Sequence, residues 1–460
     1  MKDLLAETAA RAARYLSTIN DRSVAPSPQD IGGLKALGGP LPEDPSDPAK
    51  ILALLDDAGS PATVATTGGR YFGFVIGGCL PAALAANWLA GAWDQNACMR
   101  VMSPTAATLE EIVQRWILEL LGLPVESGVG FVTTTTMANF SGLAAARSAI
   151  LHHAGWNVEE NGLFGAPALR VVVGEEVHVS LLKALNMLGL GRSRVETVPA
   201  DAQGRMRVDA LPALDERTIV CIQAGNVNTG AFDPAGEICA RARQQGAWVH
   251  VDGAFGLWAA VSPLYAPLLA GVQNADSWAI DCHKWLNVPY DSGIVAVRHP
   301  EYLRRALSAG GAAYLTQSTE REPWHYTPEA SRRARAVELW AAIRSLGRSG
   351  LRAMVERNCR QAQLFASRLR SAGFAVLNEV VLNQVLVSFG GPEETRRVTA
   401  ELQSEGTCWC GGTVWQGHTA MRISVSSWAT TDEDVERSAD AMIEVARRVL
   451  AGTASRLGRK

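Results

Sequence analysis

The chain has 460 residues, of which 47% are hydrophobic and 19% are charged, and its formal net charge is −3. This apolar fraction suffices for a large core and excludes a disordered chain. The near-neutral charge balance, without a basic block, argues against nucleic acid as a partner. At about 100–200 residues per domain, the length predicts about two to four domains, or one large enzyme with accessory segments.

The cysteines and the apolar stretches bear on the cellular location. The eight cysteines form no CxxC pair, so we expect neither a metal site nor a disulfide framework, and a reducing compartment fits better. Asp3 and Glu7 interrupt the N-terminal apolar pattern, which argues against a secretory signal. The most apolar stretch, 79–93, is too short to span a bilayer. The sequence therefore predicts a cytoplasmic protein that has no membrane partner.

Residues 1–60 have the pattern of an amphipathic helix followed by an arm rich in Pro, Gly and Asp. Such an arm buries little surface alone, so we expect it to lie against another part of the molecule or a second subunit. From 61 to 325, helical stretches alternate with short apolar runs: GVGFVT, LRVVVG, TIVCIQA, AWVHVD, SWAID and GIVAVR. This alternation predicts an α/β architecture with a mostly parallel sheet that is buried on both faces.

The last part of the chain, 326–460, has the pattern of a smaller α+β domain. A helix is predicted to begin near Pro328, with Thr327 as its N-cap. Gly347 and Gly350 are expected to end it. Strand and helix then alternate again, and a final helix follows Thr431.

Two charged side chains follow apolar strands in the middle of the chain. Asp252 ends the run AWVHV, and Lys284 follows SWAID 32 residues later (284 − 252). Open α/β sheets bind ligands at these strand ends. Taken alone, Asp252 could equally well cap the next turn, and Lys284 could simply extend its ammonium group to solvent. Together they supply what pyridoxal phosphate (PLP) needs, an amine for its aldehyde carbon and a carboxylate for its pyridine nitrogen.

Two further features precede these residues in the sequence. The run FVTTTTMANFSG places Thr133–Thr136 between a short strand and a helix. Backbone N–H groups at that helix start, together with the hydroxyls, would form a phosphate seat, although ordinary capping also explains a threonine run. His178 also stands between a strand and a helix, where a lone His is more often a core or capping residue. The lysine and the acid favour the cofactor interpretation of both features.

This combination resembles the group II pyridoxal-phosphate-dependent amino acid decarboxylases, a family that includes aromatic-L-amino-acid, glutamate and 2,4-diaminobutyrate decarboxylases. The similarity runs from about Arg70 to Thr431, and HVDGAFG and DCHKW at their spacing are its most specific segments. The other segments that carry it are GRYFGFVIGG, SPTAATLEE, TTTTMANFSGLAAAR, HVSLLKAL, AGNVNTGAFDP, DCHKWLNVPYDSG, SRRARAVELWAAIRSLGRSG and AMRISVSSW.

The resemblance implies fold type I, the aspartate aminotransferase architecture. A large PLP-binding domain with a mostly parallel seven-stranded sheet would occupy 61–325, and the smaller C-terminal domain 326–460. It also implies an obligate homodimer with shared active sites, in which residues 1–60 would embrace the partner.

The resemblance also implies a role for each matching residue. Lys284 would form the Schiff base with PLP, and Asp252 would pair with the pyridinium. His178 would stack on the ring, and Ala254 would touch its other face. The remaining implied contacts are Thr135, Thr136 and His283 at the phosphate, Asn226 and Asn228 at the hydroxyl side of the cofactor, and Arg422 at the substrate carboxylate.

The sequence departs from the family pattern in three places. Asp281 stands where animal members carry Asn, so a carboxylate would lie near the phosphate seat, with His283 placed to compensate. AGNVNTG replaces a threonine-rich turn. The segment from Tyr314 to Ser331 is shorter than the mobile loop whose tyrosine reprotonates the substrate Cα in animal aromatic decarboxylases. The candidates here are Tyr326, His325 and Tyr314, and Tyr326 fits a packing residue somewhat better.

The substrate is assigned from aromatic and basic residues. Phe74 and Trp93, with Phe72 and Trp285, are placed to line an aromatic pocket, although aromatic residues are usually core. Arg100 is the one obvious candidate for holding a side-chain carboxylate. We therefore expect decarboxylation of an aromatic or bulky L-amino acid to its amine and CO2.

Four alternatives stay open at this point. They are decarboxylative oxidation to an aldehyde, other PLP chemistry, decarboxylation of an acidic or diamino substrate, and a non-catalytic PLP-binding regulator. The regulator would require a nucleic-acid-binding module, and the sequence has no recognisable one.

Overall fold

The computed structural model describes residues 1–308 and 320–457. Its contacts divide the chain into two compact units. The first, which we call the sheet unit, comprises Cys79–Arg360 and Asn378–Gln384. The second, the terminal unit, comprises Met1–Gly78, Gln361–Leu377 and Val385–Lys460. These units interleave along the chain, so the expected domain boundaries at 60/61 and 325/326 stay a prediction.

The sheet unit is built on seven strands. They are β1 (Gly128–Val132), β2 (Arg170–Gly174), β3 (Glu196–Val198), β4 (Thr218–Gln223), β5 (Trp248–Asp252), β6 (Ser277–Asp281) and β7 (Gly293–Val297). Their order is β1-β7-β6-β5-β4-β2-β3, and β7 alone runs antiparallel to its neighbours β1 and β6. The predicted mostly parallel, seven-stranded α/β sheet is confirmed.

The strands form where the apolar runs predicted them. β1, β5, β6 and β7 are buried at every residue, as expected for a sheet covered on both faces. β3 was not predicted, because its three residues, Glu-Thr-Val, are too short and too polar to give an apolar run.

Eight helices belong wholly or partly to the sheet unit. They are α4 (Pro81–Trp93), α5 (Pro104–Leu121), α6 (Thr135–His153), α7 (Val158–Asn161), α8 (Val179–Met187), α9 (Ala235–Gln244), α10 (Pro300–Leu307) and α11 (Ala336–Ser371). Helix α6 is buried along most of its length and packs among residues of the sheet in one hydrophobic cluster. Its small residues, Ala, Gly and Ser, let it lie close to the strands.

The predicted start of α11 near Pro328 is wrong, because the helix begins at Ala336. Instead of capping a helix, the Thr327 hydroxyl donates to the carbonyl of Glu329 at 2.9 Å and accepts from Nε of Arg332 at 3.2 Å. Arg332 in turn pairs with the buried Glu110 of α5 at 2.6 Å. This ion pair holds the segment before α11 in a non-helical path. Gly347 does interrupt the helix, with φ 61°, as predicted.

The terminal unit contains the N-terminal helices and a small sheet. Its helices are α1 (Lys2–Ser17), α2 (Pro28–Gly33), α3 (Pro48–Ala62), α12 (Pro392–Glu405) and α13 (Asp432–Leu457). The sheet has the order β10-β11-β9-β8, formed by β8 (Ala375–Val376), β9 (Gln384–Ser388), β10 (Gly411–Trp415) and β11 (His418–Ser424). The smaller α+β part of the fold is thus confirmed. Across the described chain, no helix combines the length and hydropathy needed to cross a bilayer.

Candidate active site

An acid and a lysine meet at one edge of the large sheet. Asp252 is the last residue of β5, and Lys284 follows shortly after β6 ends at Asp281. The two strands are adjacent and parallel, with Asp252 opposite Ala279. Because parallel strands end at the same edge, this register brings both groups together.

A cavity opens at this edge. It is lined by His178, Gln223, Gly225, Val227, Asp252, Ala254, Phe255 and Lys284. The structure therefore brings together four residues that the sequence singled out, namely His178, Asp252, Ala254 and Lys284. Sequence reasoning missed Gln223, although its position as the last residue of β4 is the same signal that identified Asp252.

The Asp252 carboxylate is 6% exposed and accepts one hydrogen bond on each oxygen. The backbone N–H of Ala254 donates to Oδ1 at 3.2 Å, and the side-chain amide of Asn139 donates to Oδ2 at 3.1 Å. Both donors complement an ionised carboxylate. Asn139 lies on α6 and was not predicted as a site residue.

Lys284 forms an ion pair inside the site. Its Nζ lies 2.9 Å from Oδ2 of Asp281, and its side chain is 20% exposed. Oδ1 of Asp281 accepts the backbone N–H of Thr135 at 2.6 Å. The Asp281 carboxylate therefore lies at the start of α6, beside the expected phosphate seat.

The charges around Asp281 set its protonation. Burial alone would raise the pKa of this carboxyl, but the charges of Lys284 and His283 and the bonds from Thr135 and Lys284 hold it below its usual range. Burial lowers the pKa of His283 despite the nearby carboxylate. Nδ1 of His283 accepts the N–H of Ser292 at 3.2 Å, so its Nε2, 3.6 Å from Asp281, carries the proton. The compensating positive charge thus comes from Lys284 more than from His283.

The N-terminus of α6 offers the features of an anion site. The helix begins at Thr135, and the N–H groups of its first turn have no partner within the helix. The buried hydroxyl of Thr135 makes no well-aligned hydrogen bond within the described part of the chain, but it lies close enough to the Asp281 carboxylate to help lower its pKa. Thr136 is half-buried on the same turn. A buried hydroxyl at a helix start that lacks a well-aligned acceptor fits an anion such as phosphate.

His178 has the capping role that the sequence left open, and its stacking on the cofactor ring stays a prediction. It is the N-cap of α8, where its Nδ1 accepts the N–H of Ser180 at 3.2 Å and lies 2.7 Å from the Ser180 hydroxyl. The ring also lines the cavity with Asp252 and Lys284. The capping bonds hold the ring in place at the cavity wall.

Asn226 lies in the turn after β4 and is 1% exposed. Its Oδ1 accepts the N–H groups of Asn228 at 2.8 Å and Thr229 at 3.2 Å, and its amide donates to Gln223 at 3.1 Å. These contacts shape the turn, and Asn226 is not among the residues that line the cavity. Its contact with the cofactor stays a prediction.

Two of the three candidates for a proton donor, Tyr326 and His325, do not line this cavity. Tyr326 is 8% exposed and packs in the hydrophobic cluster of the sheet unit, with the Arg321 guanidinium 4.4 Å from its ring centroid. The His325 ring packs against Trp324 at a tilt of 54°, with ring centroids 4.2 Å apart. Tyr314 lies outside the described residues. The catalytic role of Tyr326 therefore stays a prediction, and its surroundings favour packing.

The predicted substrate residues are divided between the units. Trp93 ends α4 in the sheet unit, 45% exposed, and does not line the cavity. Phe74 and Arg422 belong to the terminal unit. Phe74 has φ 52°, is 62% exposed and stacks on Trp409 at 5.4 Å, whereas Arg422 lies on β11 opposite Gly411. Their contacts with substrate stay predictions.

Comparison with known proteins places this geometry in a family. The chain is 27% identical to an L-tyrosine/L-DOPA decarboxylase of Lophophora williamsii, over 72% of this chain and 67% of that protein. It is 27% identical to a histidine decarboxylase of Mus musculus, over 95% of this chain and 69% of that protein. It is 29% identical to an acidic amino acid decarboxylase of the same species, over 72% of this chain and 62% of that protein. The chain thus spans about two thirds of the length of these relatives.

A solved structure and a conserved domain complete the comparison. The structure of Oryza sativa TDC with PLP and tryptamine matches at TM-score 0.89, with 21% identity, and 97% of each chain is covered. This likeness shows the fold. Residues 44–390 match the pyridoxal-dependent decarboxylase conserved domain. The chain therefore belongs to the pyridoxal-dependent decarboxylase family and is a PLP-dependent amino acid decarboxylase.

Proposed function

We propose that this enzyme converts an aromatic or bulky apolar L-amino acid to the corresponding amine and CO2, with Lys284 as the residue that binds PLP covalently. The observation that carries the proposal is the cavity that His178, Asp252, Ala254 and Lys284 share. An amine, a carboxylate and an imidazole ring line one space, which supports this chemistry. When bound, PLP withdraws the electrons that the departing carboxylate leaves on Cα.

The residues around the cavity fit the cofactor. Asp252 would keep the ring nitrogen protonated, and His178 and Ala254 would lie against the faces of the ring. The buried hydroxyl of Thr135 and the N–H groups at the start of α6 would hold the phosphate. Thr136 on the same turn and His283 beside it would complete the seat.

The ion pair with Asp281 holds the side chain of Lys284 in place. The carboxylate holds the ammonium at 2.9 Å, which orients Nζ before the cofactor arrives. Binding of the cofactor would then place its phosphate close to this carboxylate.

Two observations support the proposed substrate class: the side chains that line the cavity, and the partners of Arg100. Val227, Ala254 and Phe255 give the cavity an apolar wall. Arg100 was the candidate for binding an acidic substrate side chain, but it pairs with Glu111 and lies 2.7 Å from Glu320. With two carboxylates already at its guanidinium, Arg100 offers little charge to an acidic substrate. This supports an apolar substrate side chain.

The test is to supply the PLP-loaded enzyme with aromatic, branched, acidic and basic L-amino acids in air. Products are identified by mass as amine, aldehyde or keto acid, and CO2 is collected. Amine and CO2 in equal amounts from an aromatic or bulky amino acid would support the proposal. Amine from glutamate or aspartate alone would overturn the substrate class. Arg100→Gln should leave the preference among substrates unchanged.

A second candidate function is decarboxylative oxidation, which releases an aldehyde. It is favoured by one observation, that neither His325 nor Tyr326 lines the cavity that holds Lys284. Without a proton donor at Cα, oxygen can intercept the reaction. Oxygen consumption in proportion to substrate, with hydrogen peroxide and ammonia as products, would favour this function over amine formation.

We also propose that the active form is a homodimer in which residues 1–60 embrace the partner. Apolar side chains on and between α1, α2 and α3 are exposed in the single chain, among them Leu5, Ile31, Leu41, Ile51 and Leu55. Exposed apolar surface of this kind is typical of an interface. Light scattering after size-exclusion chromatography tests this, since a monomer would contradict it. A cytoplasmic location stays a prediction.

A further inference from the structure

The register of β5 and β6 gathers polar side chains beneath the site. His250 precedes Asp252 by two residues on β5, so both side chains point to the same face of the sheet. Ser277, the first residue of β6, is opposite His250 in the parallel pairing. Helix α6 passes close by and contributes Asn139.

These side chains form one continuous hydrogen-bonded chain. Nε1 of Trp248 donates to the Ser277 hydroxyl at 3.0 Å, and that hydroxyl lies 2.7 Å from Nδ1 of His250. Nε2 of His250 lies 2.9 Å from Oδ1 of Asn139. The Asn139 amide then donates to Oδ2 of Asp252 at 3.1 Å.

Trp248 and Asp252, at the two ends of this hydrogen-bonded series, fix the direction of its hydrogen bonds. Indole N–H only donates, so the Ser277 oxygen accepts from Trp248 and its own proton is available to His250. An ionised Asp252 only accepts, so Asn139 must turn its NH2 group to the carboxylate and its oxygen to His250. The oxygen of Asn139 requires a proton on Nε2 of His250, and the Ser277 proton can then be donated to Nδ1 when the imidazole is neutral.

Burial supports this assignment. Ser277, His250 and Asn139 are fully buried, and burial lowers the pKa of His250 to about 3. The contact with α6 is close, because a Cβ added at Gly142 would lie 2.8 Å from Cε1 of His250. The glycine thus lets the imidazole pack against the helix that carries Asn139.

We propose that Asn139 is a positioning residue for Asp252, and that Trp248, Ser277 and His250 fix its amide so that it only donates to the carboxylate. Asn139 thereby keeps Asp252 in the acceptor form that a protonated ring nitrogen requires. This inference rests on the proposed role of Asp252 toward PLP. It assigns a function to a buried His and Asn that touch neither substrate nor cofactor.

The test measures cofactor selectivity. Dissociation constants are determined by equilibrium dialysis for PLP and for 1-deazapyridoxal 5′-phosphate, in which carbon replaces the ring nitrogen. The wild-type enzyme should prefer PLP. Asn139→Leu and His250→Phe should each reduce that preference about tenfold or more, as the loss of a hydrogen bond to a charged group implies. His250→Gln, which keeps an N–H donor near the Nε2 position, should restore most of it.

The outcomes separate this inference from the proposed function. If Asn139→Leu lowered the affinity for both ligands equally, or left the preference for PLP unchanged, the positioning role would be overturned. Wild-type enzyme without preference, or a preference unaffected by Asp252→Ala, would instead refute the role of Asp252 itself. If the Asn139 and His250 variants do not fold, Ser277→Ala removes only one hydroxyl. It should still lower the preference, and an unchanged preference in that variant would also overturn the inference.

Discussion

Nζ of Lys284 lies 2.9 Å from Oδ2 of Asp281, and the other oxygen of that carboxylate accepts the first N–H of α6 at 2.6 Å. One carboxylate thus joins Lys284, the proposed cofactor-binding lysine, to the start of α6, where we propose that the phosphate binds. Because Asp281 is 2% exposed, it is stable there only while these positive partners surround it.

The first prediction concerns the pH dependence of this contact. In the folded enzyme the partners hold the pKa of Asp281 below its usual value. Its stabilisation is therefore complete above the unfolded value of about 3.9 and is lost as the pH falls through the lower, folded value. At neutral pH, Asp281→Asn should lower the free energy of unfolding of the cofactor-free enzyme by about 1–3 kcal/mol.

Denaturant unfolding measured at several pH values checks this prediction. The difference between wild type and Asp281→Asn should shrink in acid, since wild-type Asp281 is then protonated as well. Asp57→Asn serves as the control, because Asp57 is 75% exposed and should contribute little. A difference that stays constant down to the acid limit of folding would contradict the assignment.

The second prediction concerns the covalent residue. Lys284→Ala should abolish both turnover and the visible absorbance of lysine-bound cofactor, because no other amine lines the cavity among the described residues. Lys183→Ala is the matched control, since Lys183 is exposed on α8 and should leave both unchanged. An absorption spectrum and a CO2 assay on each variant suffice. Retention of the band in Lys284→Ala would mean that another lysine binds PLP.

The third prediction uses the buried hydroxyl of Thr135. Thr135→Val keeps the shape of the side chain and removes a buried hydroxyl that makes no well-aligned hydrogen bond, although it lies near Asp281. The stability of the cofactor-free enzyme should therefore change by no more than about 1 kcal/mol, whereas its affinity for PLP should fall about tenfold. Thr197→Val is the control, because Thr197 is exposed on β3 and does not line the cavity. Loss of stability with unchanged affinity would refute the phosphate role.

Much of the fold follows from the sequence because buried parallel strands are continuous apolar runs. Six strands of the large sheet were predicted in this way, and β3 was not because it has only three residues. The start of α11 was misplaced for a different reason. Local signals at Thr327 and Pro328 favour a helix, but the Arg332–Glu110 ion pair joins residues that are distant in sequence. No local pattern reveals such a contact.

The same distinction applies to the site. Asp252, Lys284 and His178 are recognisable because each follows a strand, and strand ends converge at one edge. Asn139 is different, since its contacts with His250 and Asp252 are 111 and 113 residues away along the chain. On the sequence it is one polar residue inside a helix of small side chains. Only the packing of α6 on β5 shows these contacts.

The fourth prediction separates packing from catalysis at Tyr326. Tyr326→Phe should leave the ratio of amine to aldehyde unchanged, because the ring lies in the hydrophobic cluster and not at the cavity. Tyr326→Ala should lower the free energy of unfolding by about 3–5 kcal/mol, as expected for deletion of a buried aromatic ring. Product analysis and denaturant unfolding check the two variants. A rise in aldehyde with Tyr326→Phe would instead identify the hydroxyl as the proton donor.

The last prediction tests how closely α6 lies on the sheet. In Gly142→Ala the new methyl group would lie 2.8 Å from Cε1 of His250, which is closer than carbon atoms pack, and His250 is fully buried and hydrogen-bonded on both ring nitrogens. The free energy of unfolding should therefore fall by about 1–3 kcal/mol. Gly91→Ala is the matched control, since Gly91 is also helical but has no heavy atom within 4 Å of an added Cβ. It should raise stability by up to about 1 kcal/mol. If both variants gained stability alike in denaturant unfolding, His250 would not be confined by α6, and the hydrogen-bonded chain through Asn139 would lose its support.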